Sequence, residues 1–218
     1  MAKIINLFGG PGAGKTTLAA AIFHSLKILQ INAEIISEFP KDMILEQNAQ
    51  ALDNQFYITA NQAYRIWCAA KVYDYVIVDS PILLGAIYNK NPNIAAEFNA
   101  FLLKYHHEFD NINIFLLRGE NNQHPMSGRI HDIDEAIKKD IEIRNFLDQN
   151  QLQYYIYSRL DPNVVQKILR DILKIQKLDT QDKFSNFYDK IQQTEFRRQT
   201  KKASHRNEKP VFLDKLFE

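Results

Sequence analysis

Residues Gly9-Gly10-Pro11-Gly12-Ala13-Gly14-Lys15-Thr16 satisfy G-x-x-x-x-G-K-[ST] at every fixed position, between the apolar run Ile4 to Phe8 and the helix-forming segment Thr17 to Leu29. A chain with that arrangement is constrained to a strand, a glycine-rich turn and a helix in succession. The glycines let backbone N–H groups close around an anion, and the helix N-terminus faces the same point. Gly9, Gly10, Gly12, Ala13, Gly14, Lys15, Thr16 and Thr17 are therefore the residues expected to hold the phosphates of a nucleotide. Lys15 is expected along the β- and γ-phosphates, and the Thr16 hydroxyl on a Mg²⁺ ion that bridges them. The competing reading, a glycine turn that only ends a strand, does not account for correct flanks on both sides.

A second element of such a site is an apolar strand ending in a carboxylate. Tyr75-Val76-Ile77-Val78-Asp79 supplies it, with Asp79 the only charge at the strand's end. The β-branched run is that of a parallel strand buried on both faces. Its carboxyl end would lie beside the loop after the first strand, where Asp79 is expected to help hold the Mg²⁺. An Asx turn before Pro81 is the alternative role for the same carboxylate.

Period and punctuation place strands at Lys3 to Phe8, Ala33 to Ser37, Tyr75 to Asp79, Ile112 to Leu117 and Gln153 to Tyr157. Helices are expected at Lys15 to Gln30, Met43 to Asn48, Asn54 to Lys71, Ile82 to Tyr88, Ile94 to His107, Ile133 to Asn150 and Pro162 to Lys177. Strands alternating with helices imply right-handed crossovers. The expected fold is therefore α/β, a three-layer sandwich built on a five-stranded parallel sheet, with ligands beyond the strands' carboxyl ends.

At 218 residues, 45% of them hydrophobic, the chain accommodates one well-buried domain, assigned here to residues 1–178. From Thr180 onward it turns polar. Residues 195–218 hold seven Lys/Arg against four Asp/Glu, with Arg197, Arg198, Lys201, Lys202, Arg206 and Lys209 clustered. This extension, 179–218, reads as a solvated tail or as an arm that contacts nucleic acid or a partner. With a net charge of +1, the chain is not a strongly basic nucleic-acid platform as a whole. The lone Cys68 excludes an internal disulfide framework and fits a reducing, cytoplasmic setting. His106 and His107 are adjacent and diverge on a helix, and His124 and His131 lack Cys partners, so no metal cluster is expected. No apolar run is long enough to span a membrane. Homo-oligomerisation is left open.

Phosphoryl transfer needs an acceptor-binding carboxylate and cations that neutralise the moving charge. Glu38 follows the second strand and is the carboxylate expected near the first loop, poised to take the proton of an acceptor hydroxyl. A surface Glu in the turn Ser37-Glu38-Phe39-Pro40 is the alternative. Lys41 follows at the same edge, either offsetting anionic charge or solvated. Gln62 and Arg65, three apart on one helix, share a face and are candidates to contact the acceptor; an Arg that covers apolar surface is the other reading. Arg118-Gly119 opens a polar segment, about 118–134, that includes Ser127-Gly128-Arg129. Such a stretch reads as a lid whose Arg118 and Arg129 close over a triphosphate and exclude water, or as an ordinary exposed loop.

These residues together resemble the P-loop kinases of the nucleoside and nucleotide kinase group, over roughly residues 2–178. The likeness is closest to ribosylnicotinamide-kinase-like and thymidylate-kinase-like proteins of phages and bacteria. It is carried by Asn6 to Thr17, Ser37 to Asp42, Leu52 to Gln55, Val78 to Pro81 and Gly128-Arg129. The resemblance implies ATP and Mg²⁺ as cofactors, a nucleoside or nucleotide as acceptor, and Glu38 as the base toward a sugar hydroxyl. Where such enzymes carry Glu-Arg-Ser after the third strand, this chain has Asp79-Ser80-Pro81, and the Asp-Arg-Tyr or Asp-Arg-His triplet of thymidylate kinases is missing. A nucleic-acid acceptor held by the basic tail, and a nucleotide-binding ATPase or switch without acceptor, are the competing functions. An AAA+ motor ranks lower, because a second acidic residue beside Asp79 would polarise water and Ser80 stands there. Guanine selectivity is not indicated: Asn89-Lys90-Asn91-Pro92 lacks the Asp of the guanine motif.

Overall fold

The computed structural model describes residues 1–118 and 133–175. They fall in the first of two units into which the chain divides, Met1–Gln176 and Lys177–Glu218. The basic extension, Arg129 and most of the expected lid lie outside the described residues.

Five strands form one all-parallel sheet in the order β2-β3-β1-β4-β5. They are β1 Lys3–Phe8, β2 Ala33–Ile36, β3 Tyr75–Val78, β4 Asp110–Leu117 and β5 Tyr155–Ser158. The all-parallel α/β fold expected from the alternating pattern is the one observed. The chain leaves β1 for an edge strand, returns to insert β3, then crosses β1 to reach β4. Strand order therefore reverses at β1, and the crevice beyond its carboxyl end is where a ligand fits in such a sheet. Register pairs Ile5 with Ile77 and Asn6 with Val78, so Asp79 stands level with the last residues of β1.

Helices cover both faces. On one, α1 (Lys15–Ile28) buries Leu18, Ala19, Ile22 and Leu26 against Ile5 and Leu7 of β1 and Ile114 and Leu116 of β4. On the other, α4 (Gln55–Ala70), α5 (Leu84–Tyr88), α6 (Ala95–His106) and α7 (Ile133–Gln149) pack against Ile4, Phe8, Val76, Val78 and Phe115. Two short helices, α2 (Phe39–Leu45) and α3 (Ala49–Leu52), precede α4 and close a small cluster of Phe39, Met43 and Ile58. Asn54 starts α4, its side chain accepting from the Tyr57 amide at 3.1 Å, which satisfies one orphan donor of the first turn.

Two expected helices differ in the structure. The one placed at Met43 to Asn48 begins earlier, at Phe39, because Pro40 occupies the first turn, where its missing N–H costs nothing. The one placed at Pro162 to Lys177 is instead a short α8, Val164–Lys167, that continues as a π-turn over Ile168–Ile172. Leu173 N–H reaches the Ile168 carbonyl at 3.1 Å, and this wider turn lets both side chains enter the core beneath α1.

Candidate phosphate-binding and acceptor site

The glycine-rich loop leaves β1 at the carboxyl edge of the sheet and ends on Gly14, which caps α1 with φ +100°. That left-handed backbone is available to glycine at little cost, and it turns the first amides of α1 toward the crevice without a capping side chain. Lys15 is 7% exposed and folds back over the loop, donating to the Gly9 carbonyl at 2.8 Å and the Gly10 carbonyl at 3.2 Å. Thr16 and Thr17 remain exposed on the first turn.

Asp79, one residue beyond β3, is buried and accepts the Thr16 hydroxyl at 2.6 Å through Oδ2. Its Oδ1 is buried with no hydrogen-bond partner among the described residues. Burial pushes the Asp79 carboxyl above the usual carboxylate range, against the opposing pull of the Thr16 hydroxyl and of Lys15 and Lys41. A threonine hydroxyl and an unpartnered carboxylate oxygen are hard oxygen donors of the kind Mg²⁺ takes beside water and phosphate, so these two residues fit the cation that the motif implies.

Glu38 caps α2 directly after β2 and is half-buried. Burial raises its carboxyl; Lys15 lowers it, the Asp79 charge raises it and Lys41 lowers it. Lys15 and Lys41 thus act on both carboxylates, and the Asp79 charge acts on Glu38. Lys41 itself is exposed at the rim. Tyr88, which the sequence did not single out, is pushed up to about 12 by burial, with the Glu38, Asp140 and Glu142 charges adding to the rise. Its hydroxyl therefore stays a neutral donor at physiological pH.

Gln62 and Arg65 meet at Phe39, the residue after Glu38. The Gln62 Oε1 accepts from the Phe39 amide at 3.1 Å, and its Nε2 is buried with no partner among the described residues. The Arg65 guanidinium lies 4.8 Å from the Phe39 ring centroid and pairs with Asp42 at 2.6 Å. Arg65 is thus committed to a carboxylate and a ring, and the Gln62 amide nitrogen is left to donate elsewhere.

Arg118 follows β4 with its side chain only 9% exposed, and its Nε donates to Asp140 Oδ2 on α7 at 2.9 Å. The other oxygen of Asp140 accepts the Gly10 amide. Arg159, beyond β5, places its Cδ 3.1 Å from where a Cβ on Gly14 would stand. Sequence reasoning missed Asp140, Arg159 and Tyr88. Asp140 is one of several acids on α7, along with Asp134, Glu135 and Glu142, and nothing in local spacing sets it apart.

Comparison with known proteins bears on the family and the fold. Residues 4–163 match the family model described as an AAA domain. The NadR protein, solved in complex with NR, superposes with a TM-score of 0.56 at 14% identity over 78% of this chain and 51% of that one. The chain thus spans about half the length of that protein. The thymidylate kinase of Ehrlichia chaffeensis superposes with a TM-score of 0.51 at 13% identity, covering 81% of this chain and 100% of the kinase. Both likenesses are of fold, the P-loop nucleoside and nucleotide kinase architecture that the sequence resembles. No curated protein matches in sequence. No described helix is long and apolar enough to cross a membrane.

Proposed function

The chain belongs to the AAA domain family, and from that premise we propose that it is a phosphotransferase, moving the γ-phosphate of ATP to a hydroxyl of a nucleoside or nucleotide. The observation that carries this reading is the placement of Glu38. A half-buried carboxylate emerges from β2 into the site of Lys15 and Asp79, and burial raises its affinity for a proton. A carboxylate whose proton affinity is raised by burial is a better acceptor for the proton of a hydroxyl than an ordinary surface Glu.

The remaining residues take consistent parts. Thr16 and Asp79 would hold Mg²⁺, which neutralises charge on the β- and γ-phosphates when bound. Lys15 exchanges its bonds to the Gly9 and Gly10 carbonyls for phosphate oxygens, and the amides from Gly12 to Thr17 line the anion's seat. Gln62 offers its free Nε2 to the acceptor, whose other side rests on the wall made by Phe39 and Arg65. Arg118 is paired with Asp140 and offsets that carboxylate beside the loop. An acceptor hydroxyl suits this wall better than an acceptor phosphate, because Arg65 is already paired with Asp42 and Glu38 would repel a second anion.

The family's AAA name does not by itself make the chain a motor. Ser80 follows Asp79 where a water-polarising acid is expected of a motor, and a kinase gains by lacking one, since hydrolysis consumes ATP without product. The test is product identification by mass after incubation with Mg-ATP and a panel of nucleosides, nucleoside monophosphates and oligonucleotides. A phosphorylated nucleoside or nucleotide is the expected product. Release of phosphate alone, with every acceptor unchanged, would contradict the reading.

A further inference from the structure

We propose that Asp140 is a positioning residue for the phosphate loop, acting through Gly10 and kept electrically compatible with a polyphosphate by Arg118. The inference rests on the nucleotide-site reading above. Gly10 is the hub of the loop. Its N–H donates to Asp140 Oδ1, and its carbonyl accepts from the Ala13 amide at 3.2 Å and from Lys15 Nζ at 3.2 Å. Asp140 therefore fixes the Gly9–Gly10 peptide plane, whose carbonyl, that of Gly9, accepts from Lys15 Nζ at 2.8 Å. The seat is close-fitting: a Cβ on Gly10 would stand 2.6 Å from the Ala136 carbonyl oxygen and 2.9 Å from Asp140 Oδ1. α7 and the loop thus meet backbone to backbone, with the carboxylate as the bridge.

A carboxylate at this place would by itself repel the triphosphate that the loop is built to receive. Arg118 removes that conflict. Its Nε lies 2.9 Å from Asp140 Oδ2, and its Nη2 reaches toward the Ala136 carbonyl at 3.5 Å. The two side chains are 9% and 15% exposed, so little solvent screens the pair and each charge depends on the other. Asp140 supplies the hydrogen-bond acceptor, Arg118 cancels the charge, and the loop is held in shape without an added negative field.

The experiment is calorimetric titration of the full chain with Mg-ADP, for wild type, Asp140→Asn, Asp140→Ala, Arg118→Met and the double variant Arg118→Met/Asp140→Asn, each with its thermal midpoint. Asp140→Ala removes the acceptor and should weaken Mg-ADP binding on the order of tenfold or more, as loss of alignment does at a phosphate site. Asp140→Asn retains an acceptor oxygen for Gly10 and should bind more tightly than Asp140→Ala. Arg118→Met leaves the carboxylate uncompensated, and adding Asp140→Asn should recover affinity over the single variant. Wild-type affinity in folded Asp140→Ala, with only its midpoint lowered, overturns the proposal and reduces Asp140 to a structural role. Should Asp140→Ala not fold, the Gly10 amide resonance decides: it should move upfield in Asp140→Asn, and an unmoved resonance overturns the proposal. Wild type that binds no Mg-ADP would overturn the nucleotide-site reading itself, and that outcome is distinct from equal binding by wild type and variant.

Discussion

Mild acid should destabilise this protein through one histidine. His106, at the end of α6, is 3% exposed, and burial, with a smaller contribution from the neighbouring His107, pushes its imidazole down from 6.5 to about 4. The folded state therefore refuses a proton that the unfolded chain accepts. Its contribution to stability is complete above the unfolded value and is lost as pH falls through the window from 6.5 toward 4. With about 1.4 kcal/mol for each unit of separation, the loss from this residue is about 2 kcal/mol by pH 5 and about 3 kcal/mol by pH 4. Against a typical domain stability of roughly 5–15 kcal/mol, that is a substantial share. Urea unfolding of wild type and His106→Leu at pH 7 and pH 5 measures it. Glu38 and Asp79, whose raised carboxyls shift stability with the opposite sign, are common to both proteins and cancel in the comparison. Wild type should lose about 2 kcal/mol more than the variant on going to pH 5. Equal losses in the two proteins would refute the argument, since the imidazole would then titrate alike in folded and unfolded chains.

Other consequences concern the site. Glu38→Gln should lower kcat by at least about 100-fold while leaving the KM for ATP little changed, as expected of a general base; steady-state kinetics check this, and retained kcat would remove Glu38 from its role. Gly10→Ala forces a Cβ to 2.6 Å from the Ala136 carbonyl, and should cost about 1–3 kcal/mol in urea unfolding, with an unchanged midpoint contradicting the close packing of α7 on the loop. Arg65→Ala removes the contact with the Phe39 ring and the pair with Asp42; it should raise the acceptor KM and spare the KM for ATP, which initial-rate measurements separate.

What could be read from the sequence was what local pattern determines. The glycine loop and the acid at the end of β3 follow from spacing and from apolar runs, and the structure brings Thr16 and Asp79 to 2.6 Å of each other. The edge position of Glu38 followed from counting residues past β2, and the pairing of Gln62 with Arg65 from helical period; they converge on Phe39. Two things were beyond local pattern. The Phe39-Pro40 step reads as a turn, because proline restricts the residue before it, yet here it opens α2. Asp140 and Arg118 are 22 residues apart in sequence, and Asp140 is 130 residues from Gly10; only tertiary packing of α7 on the loop joins them. The strand order has the same cause, since crossovers and not strand sequences decide which strand lies beside β1.

The proposed function is phosphoryl transfer to a small acceptor by the loop, Asp79 and Glu38. The most direct measurement follows the label of γ-phosphate-labelled ATP, with Mg²⁺, in the presence of a nucleoside and nucleotide panel, for wild type and Lys15→Ala. Label is expected on a nucleoside or nucleotide with wild type and on none with Lys15→Ala, whose fold should persist. Label released solely as free phosphate, or transfer undiminished in Lys15→Ala, would contradict it.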